Sequence, residues 1–126
     1  MPEHDDLVAA YLDHAEAVSL RGHQGDLPAA WDAVNELVRH DPEEAWLVVQ
    51  DLVRRATRDE VLAYIAAGPL EDLLCEHPYV FIDRVETLAA QDARFRRALS
   101  GVWGWSRMPP DIVARLDAIF GDEPRL

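Results

Sequence analysis

Apolar positions recur at helical steps almost from one end of this chain to the other. Leu7, Tyr11, Ala15 and Val18 are spaced four, four and three apart, which puts them on one helical stripe. A second helix would bury Trp31, Val34, Leu37 and Val38, with Asp26 as its cap and Pro28 in its first turn. Asp41, Pro42, Glu43 and Glu44 give the clearest start signal in the chain. The aspartate offers an acceptor to unpaired N–H groups, the proline presets φ, and the two carboxylates face the positive helix end. The stripe that follows reads Trp46, Val49, Leu52, Val53 and Ala56, with Arg54 and Arg55 in the last turn. Thr57 and Glu60 then match a capping box ahead of Val61, Tyr64 and Ile65.

Gly68 is expected to close that helix in a left-handed conformation, and Pro69 to open a short one carrying Leu70, Leu73 and Leu74. After Pro78, Phe81, Val85 and Leu88 fall at helical steps, followed past Asp92 by Phe95, Leu99, Val102 and Trp103. A loop from Gly104 to Pro110 leads to a last helix with Ile112, Leu116, Ile119 and Phe120 facing inward and Gly121 at its end. No run alternates in the two-residue rhythm of a hairpin. The pattern predicts an all-α domain of seven or eight short helices stacked as antiparallel hairpins. That is a HEAT-like, right-angle helical stack, hinted at by the echo between Ala30-Trp31 and Ala45-Trp46. Residues 1–121 form one domain in this reading, and residues 122–126 a flexible tail.

Composition narrows the picture. At 126 residues, 49% hydrophobic and 29% charged, the chain suits one globular domain with its own core. No apolar stretch approaches the roughly 20 residues of a membrane-spanning helix. Met1 to Asp6 is acidic where a signal peptide is basic, and Cys75 has no partner for a disulfide, so a cytoplasmic location is expected. The net charge is −12, and every basic residue is arginine. Up to Val53, twelve acids face only Arg21 and Arg39, a balance of −10; from Arg54 onward, twelve acids face ten arginines, a balance of −2. A negative field of this kind repels nucleic acid and anionic lipid and attracts basic proteins.

The densest cluster of candidate chemistry is Gly68-Pro69-Leu70-Glu71-Asp72-Leu73-Leu74. Glu71 and Asp72 sit in a first turn where the helix dipole favours them, and adjacent residues point about 100° apart, poorly placed to share a proton. Arg97 is a candidate ion-pair partner for Glu71. Arg94, Arg96, Arg97 and Arg107 interleave with Trp103 and Trp105, a mixture able to stack on bases or clamp carboxylates. Trp103 reads as core, and Trp105, beside Gly104, as an exposed contact residue. The five histidines lack ligand spacing, and Cys75 with His77 is a two-ligand fragment, so neither a metal nor a cofactor is expected and no catalytic residue is assigned.

The stretch Ala66 to Leu74, then Ile82-Asp83-Arg84-Val85-Glu86, Asp92 to Trp103 and Met108 to Leu116, resembles a family of small bacterial proteins, the domain of unknown function 6869 family. Its shared core reads Gly-Pro-Leu-Glu-Asp-Leu-Leu, a histidine, then a phenylalanine-arginine helix ending in Gly-Val-Trp. The resemblance covers the C-terminal half, with Trp46 at the upstream tryptophan position. It implies that His77, Phe95, Arg96, Arg97 and Trp103 are kept, and Pro78 stands where a glycine is expected. It implies a helical fold and no known activity.

Together these features favour a non-enzymatic protein-interaction module with a basic partner, in the manner of the immunity proteins of secreted nucleases. The alternative is a small-molecule or metal-binding protein, or an enzyme, using Glu71, Asp72, His77 and Arg97. Trp105 joins them as a binding candidate, while Gly68, Pro69, Leu70, Leu73, Leu74, Trp46 and Trp103 are assigned to the scaffold.

Overall fold

The computed structural model of the chain describes residues 3–22 and 28–126, and all regular structure among them is helical. The helices are α1 (His4–Arg21), α2 (Ala29–His40), α3 (Pro42–Arg55), α4 (Asp59–Ile65), α5 (Glu71–Glu76), α6 (Pro78–Gln91), α7 (Ala93–Leu99) and α8 (Pro110–Phe120). Asp26, the expected cap of α2, lies outside the described residues.

Two helix starts follow directly from side-chain chemistry. Asp41 caps α3, its Oδ1 accepting from the Glu44 N–H at 3.4 Å, with Pro42 in the first turn. Asp92 caps α7 more tightly, accepting from the N–H groups of Arg94 and Phe95 at 2.9 and 3.1 Å. The capping box expected at Thr57 and Glu60 does not form. Arg58 occupies the N-cap in extended conformation without a side-chain bond, and Asp59, in the first turn, is engaged by Arg97 instead.

Gly68 also departs from expectation. It does not close α4 in a left-handed conformation; its φ and ψ are −102° and −108°. A wide turn with π-helical bonding over Ala66–Leu70 carries α4 through a kink into α5. Pro69 is tolerated because the hydrogen-bond ladder is already interrupted there. Tyr11 of α1 presses against this kink, and a Cβ at position 68 would lie 3.2 Å from its hydroxyl oxygen.

α3 is the centre of the packing. It contacts α1, α2, α4, α5 and α7, and its Val48, Val49 and Leu52 are fully buried. Consecutive helices pack on one another in α2–α3, α5–α6 and α6–α7, while α8 lies against α6. Trp46 sits between Phe81 and Phe95, with ring centroids 5.6 and 5.7 Å away, and Leu70, Leu73 and Leu74 complete this part of the core. Leu126 packs against the core and donates its N–H to Ser100 Oγ at 3.2 Å. Glu123 receives Arg96, and Arg125 bonds Asp117 at 2.9 Å, so charge pairing holds residues whose own apolar content is small.

Because Leu52 is fully buried on the helix that contacts five others, Leu52→Ala should cost about 2–5 kcal/mol, read as a lowered urea midpoint with an unchanged slope. A loss below about 1 kcal/mol would show that the centre of the bundle collapses around the deletion.

Candidate functional site

The Gly-Pro-Leu-Glu-Asp motif builds a charge cluster whose partners lie more than thirty residues away in sequence. Glu71 is buried, and its Oε1 accepts from the Trp103 N–H at 2.9 Å while Oε2 accepts from Arg107 at 3.1 Å. The same guanidinium donates to Asp72 Oδ1 at 3.0 Å. One arginine therefore bridges two carboxylates that the helix directs apart. Gly104 closes the cluster from above, since a Cβ there would meet Glu71 Cδ at 2.8 Å. A short 3₁₀ turn, Trp105–Arg107, sets the reach of Arg107.

The other expected site residues do not join this cluster. Arg97 is not the partner of Glu71; α7 packs on α4, which brings Arg97 to Asp59 at 3.0 Å. The His77 ring donates through Nε2 to the Val38 carbonyl at 2.8 Å and ties the start of α6 to α2. Trp103 was expected in the core and is 51% exposed, because its backbone N–H turns inward to Glu71 and so sends the indole outward. Trp105 is 39% exposed beside it, the two rings 5.1 Å apart, with Arg125 stacked over both. Arg94 donates to the Val53 carbonyl and Arg96 meets Glu123, so these cations of the arginine–tryptophan segment are paired within the chain. Cys75 is partly buried, and burial pushes its thiol up from the ordinary cysteine value, the reverse of an activated nucleophile.

A different feature emerges at the acidic end of the molecule. α1, α2 and α3 enclose a cleft of about 500 Å³. Leu7, Ala33 and Leu37 form its apolar lining, and His4, Glu36, His40, Asp41 and Glu44 line it with polar groups. His4 connects α1 to α3: its Nε2 meets Asp51 and its Nδ1 lies 3.2 Å from Glu44. Hydrogen bonding to those two carboxylates raises the His4 pKa above the ordinary histidine value. His4, Asp5 and Asp51 bring donor atoms within 4.8 Å of one another, a set able to take a divalent cation, although a protonated His4 competes for it by engaging one oxygen each of Asp51 and Glu44. Across the cleft, Glu36 makes only loose contacts, 3.5 Å to His40 and 3.9 Å to Arg39. Sequence reasoning missed this cleft, though one signal was present: Glu44 and Asp51 are seven apart on α3, two turns along one face.

Residues 21–123 match the model of the family of unknown function DUF6869, well over half of the chain, and the chain belongs to that family. No curated protein and no solved structure matches it.

Three outcomes follow from these contacts. Glu71→Ala orphans the Trp103 N–H and halves the anchorage of Arg107, so it should destabilise by about 1–3 kcal/mol in urea unfolding. Asp72→Asn should cost less than about 1 kcal/mol, because its pair with Arg107 is open to water. For His4, a folded pKa above the unfolded one means that the stabilisation is complete below the ordinary histidine range and is lost as pH rises through the raised value. The urea midpoint of His4→Ala should therefore fall further below wild type at about pH 6 than at about pH 9. An equal gap at both would show that His4 contributes by packing alone.

Proposed function

We propose that this chain is a non-enzymatic protein-interaction module that binds a basic protein through its α1–α2–α3 face, as an immunity protein binds its toxin. The observation behind this reading is that the chain up to Val53 sets twelve acids against two arginines, whereas the later part sets twelve against ten. In the later part, Arg84, Arg96, Arg97, Arg107, Arg115 and Arg125 each meet a carboxylate within the chain. On α1 and α2, exposed Asp6, Asp13, Glu16 and Asp32 form no ion pair with any other described residue. Most of the −12 charge therefore belongs to the part of the chain that builds α1 to α3, and a field of that sign steers a cationic partner and raises the association rate.

The residues considered for an enzymatic or ligand-binding role are spread over separate contacts. Glu71 and Asp72 are joined to Arg107, His77 to a backbone carbonyl, and Arg97 to Asp59. None of these contacts leaves an acid and a base facing a shared cavity, which acid–base chemistry requires.

Isothermal titration and stopped-flow association against the basic proteins encoded beside this chain test the proposal. The variant Asp6→Asn/Asp13→Asn/Glu16→Gln/Asp32→Asn should associate roughly tenfold more slowly at low salt and lose most of the salt dependence. Binding that ignores both salt and these substitutions, or no binding to any of them, would sink the reading.

A further inference from the structure

The α1–α2–α3 cleft combines two chemistries that few ligands satisfy together. Its apolar lining is Leu7, Ala33 and Leu37, and its polar lining is Glu36, Asp41 and Glu44 together with His4 and His40. A bare cation gains nothing from the apolar lining, and an apolar ligand would strip water from the carboxylates without replacing it. Phosphates and acidic peptides are repelled by the surrounding charge. A long basic side chain fits both parts, because its methylene stem lies on apolar surface while its charged head stays polar.

The polar lining has capacity to spare. A carboxylate offers about four lone-pair positions. Glu44 uses one toward His4, and Glu36 makes only the two long contacts at 3.5 and 3.9 Å. Both glutamates can therefore accept from a guanidinium, whose planar fork engages carboxylates more specifically than an ammonium does. The cleft volume of about 500 Å³ leaves room for an arginine side chain with its flanking backbone.

We infer that this cleft is the socket for one arginine of the basic partner, its stem on Leu7, Ala33 and Leu37 and its guanidinium held by Glu36 and Glu44. The inference rests on the protein-binding reading above and adds the anchoring residue and its seat. An arginine buried against aliphatic side chains between two carboxylates has the character of an interface hot spot, in contrast to the exposed acids of α1, which act at long range.

The probe is Nα-acetyl-arginine methylamide at millimolar concentration, with the citrulline compound as its neutral isostere, titrated into the isotope-labelled chain and followed by amide chemical shifts. Perturbations should centre on Leu7, Leu37, His40 and Glu44, with affinity for the arginine compound about tenfold above that for citrulline. Glu44→Gln should remove that preference. Ala33→Phe, which fills the cleft without altering charge, should remove binding of both compounds. Equal response to the two compounds, perturbations elsewhere, or no response would overturn the socket. A basic protein that binds with salt dependence while these amides stay unmoved would refute the socket and leave the protein-binding reading standing. An arginine compound seated in the cleft, with no basic protein bound, would do the reverse.

Discussion

A carboxylate buried against hydrocarbon must be met by donors, and in this protein that requirement falls on Glu71. Burying an ionised group unpaired costs several kcal/mol, so the chain around it is arranged to supply partners. The Trp103 N–H and Arg107 supply them, which fixes the path of the segment between α7 and α8. A side chain at position 104 would push the Glu71 carboxylate off these donors, because a Cβ there would lie 2.8 Å from its Cδ. With Trp103 bonded inward through its backbone, its indole points out, beside Trp105 and under Arg125. The docking of the last residues follows, since Leu126 accepts from the Trp103 indole N–H at 3.3 Å and donates to Ser100. One buried charge thereby organises the motif helix, the loop and the segment after α8.

Outside that cluster, arginine works as a set of surface clips. Arg84 joins α6 to Glu43 on α3, Arg97 joins α7 to Asp59 on α4, and Arg115 joins α8 to Asp83 and Glu86 on α6. Pairs this exposed contribute about 0–1 kcal/mol each, so the apolar packing around α3 carries the stability. The effect of the clips is electrostatic: those of Arg97 and Arg115 neutralise carboxylates of the later part, and that of Arg84 neutralises Glu43 on α3.

The helices were legible because local signals and burial agree. Asp41-Pro42-Glu43-Glu44 predicts the start of α3, and the stripe from Trp46 to Val53 is buried as its spacing requires. The failures share a cause. Thr57 and Glu60 have the right spacing for a capping box, but a distant arginine holds Asp59. Gly68 was read by its usual habit at helix ends, whereas its role is set by Tyr11, fifty-seven residues earlier. The partner of Glu71 is Arg107 and not Arg97, a choice that depends on how α7 lies on α4. The cleft was invisible as a cleft because its walls come from three helices, although its charge was plain in the first fifty-three residues.

The placement of the tryptophans has an optical consequence. Trp46 is held in a dry environment between two phenylalanines, while Trp103 and Trp105 stand in water against the last residues of the chain. Indole emission shifts to longer wavelength as the ring becomes hydrated, so the blue edge of the spectrum belongs to the heart of the bundle and the red edge to the segment around Gly104. Trp31, half-buried on α2, falls between these extremes, so the four indoles of the intact protein report on regions of different hydration.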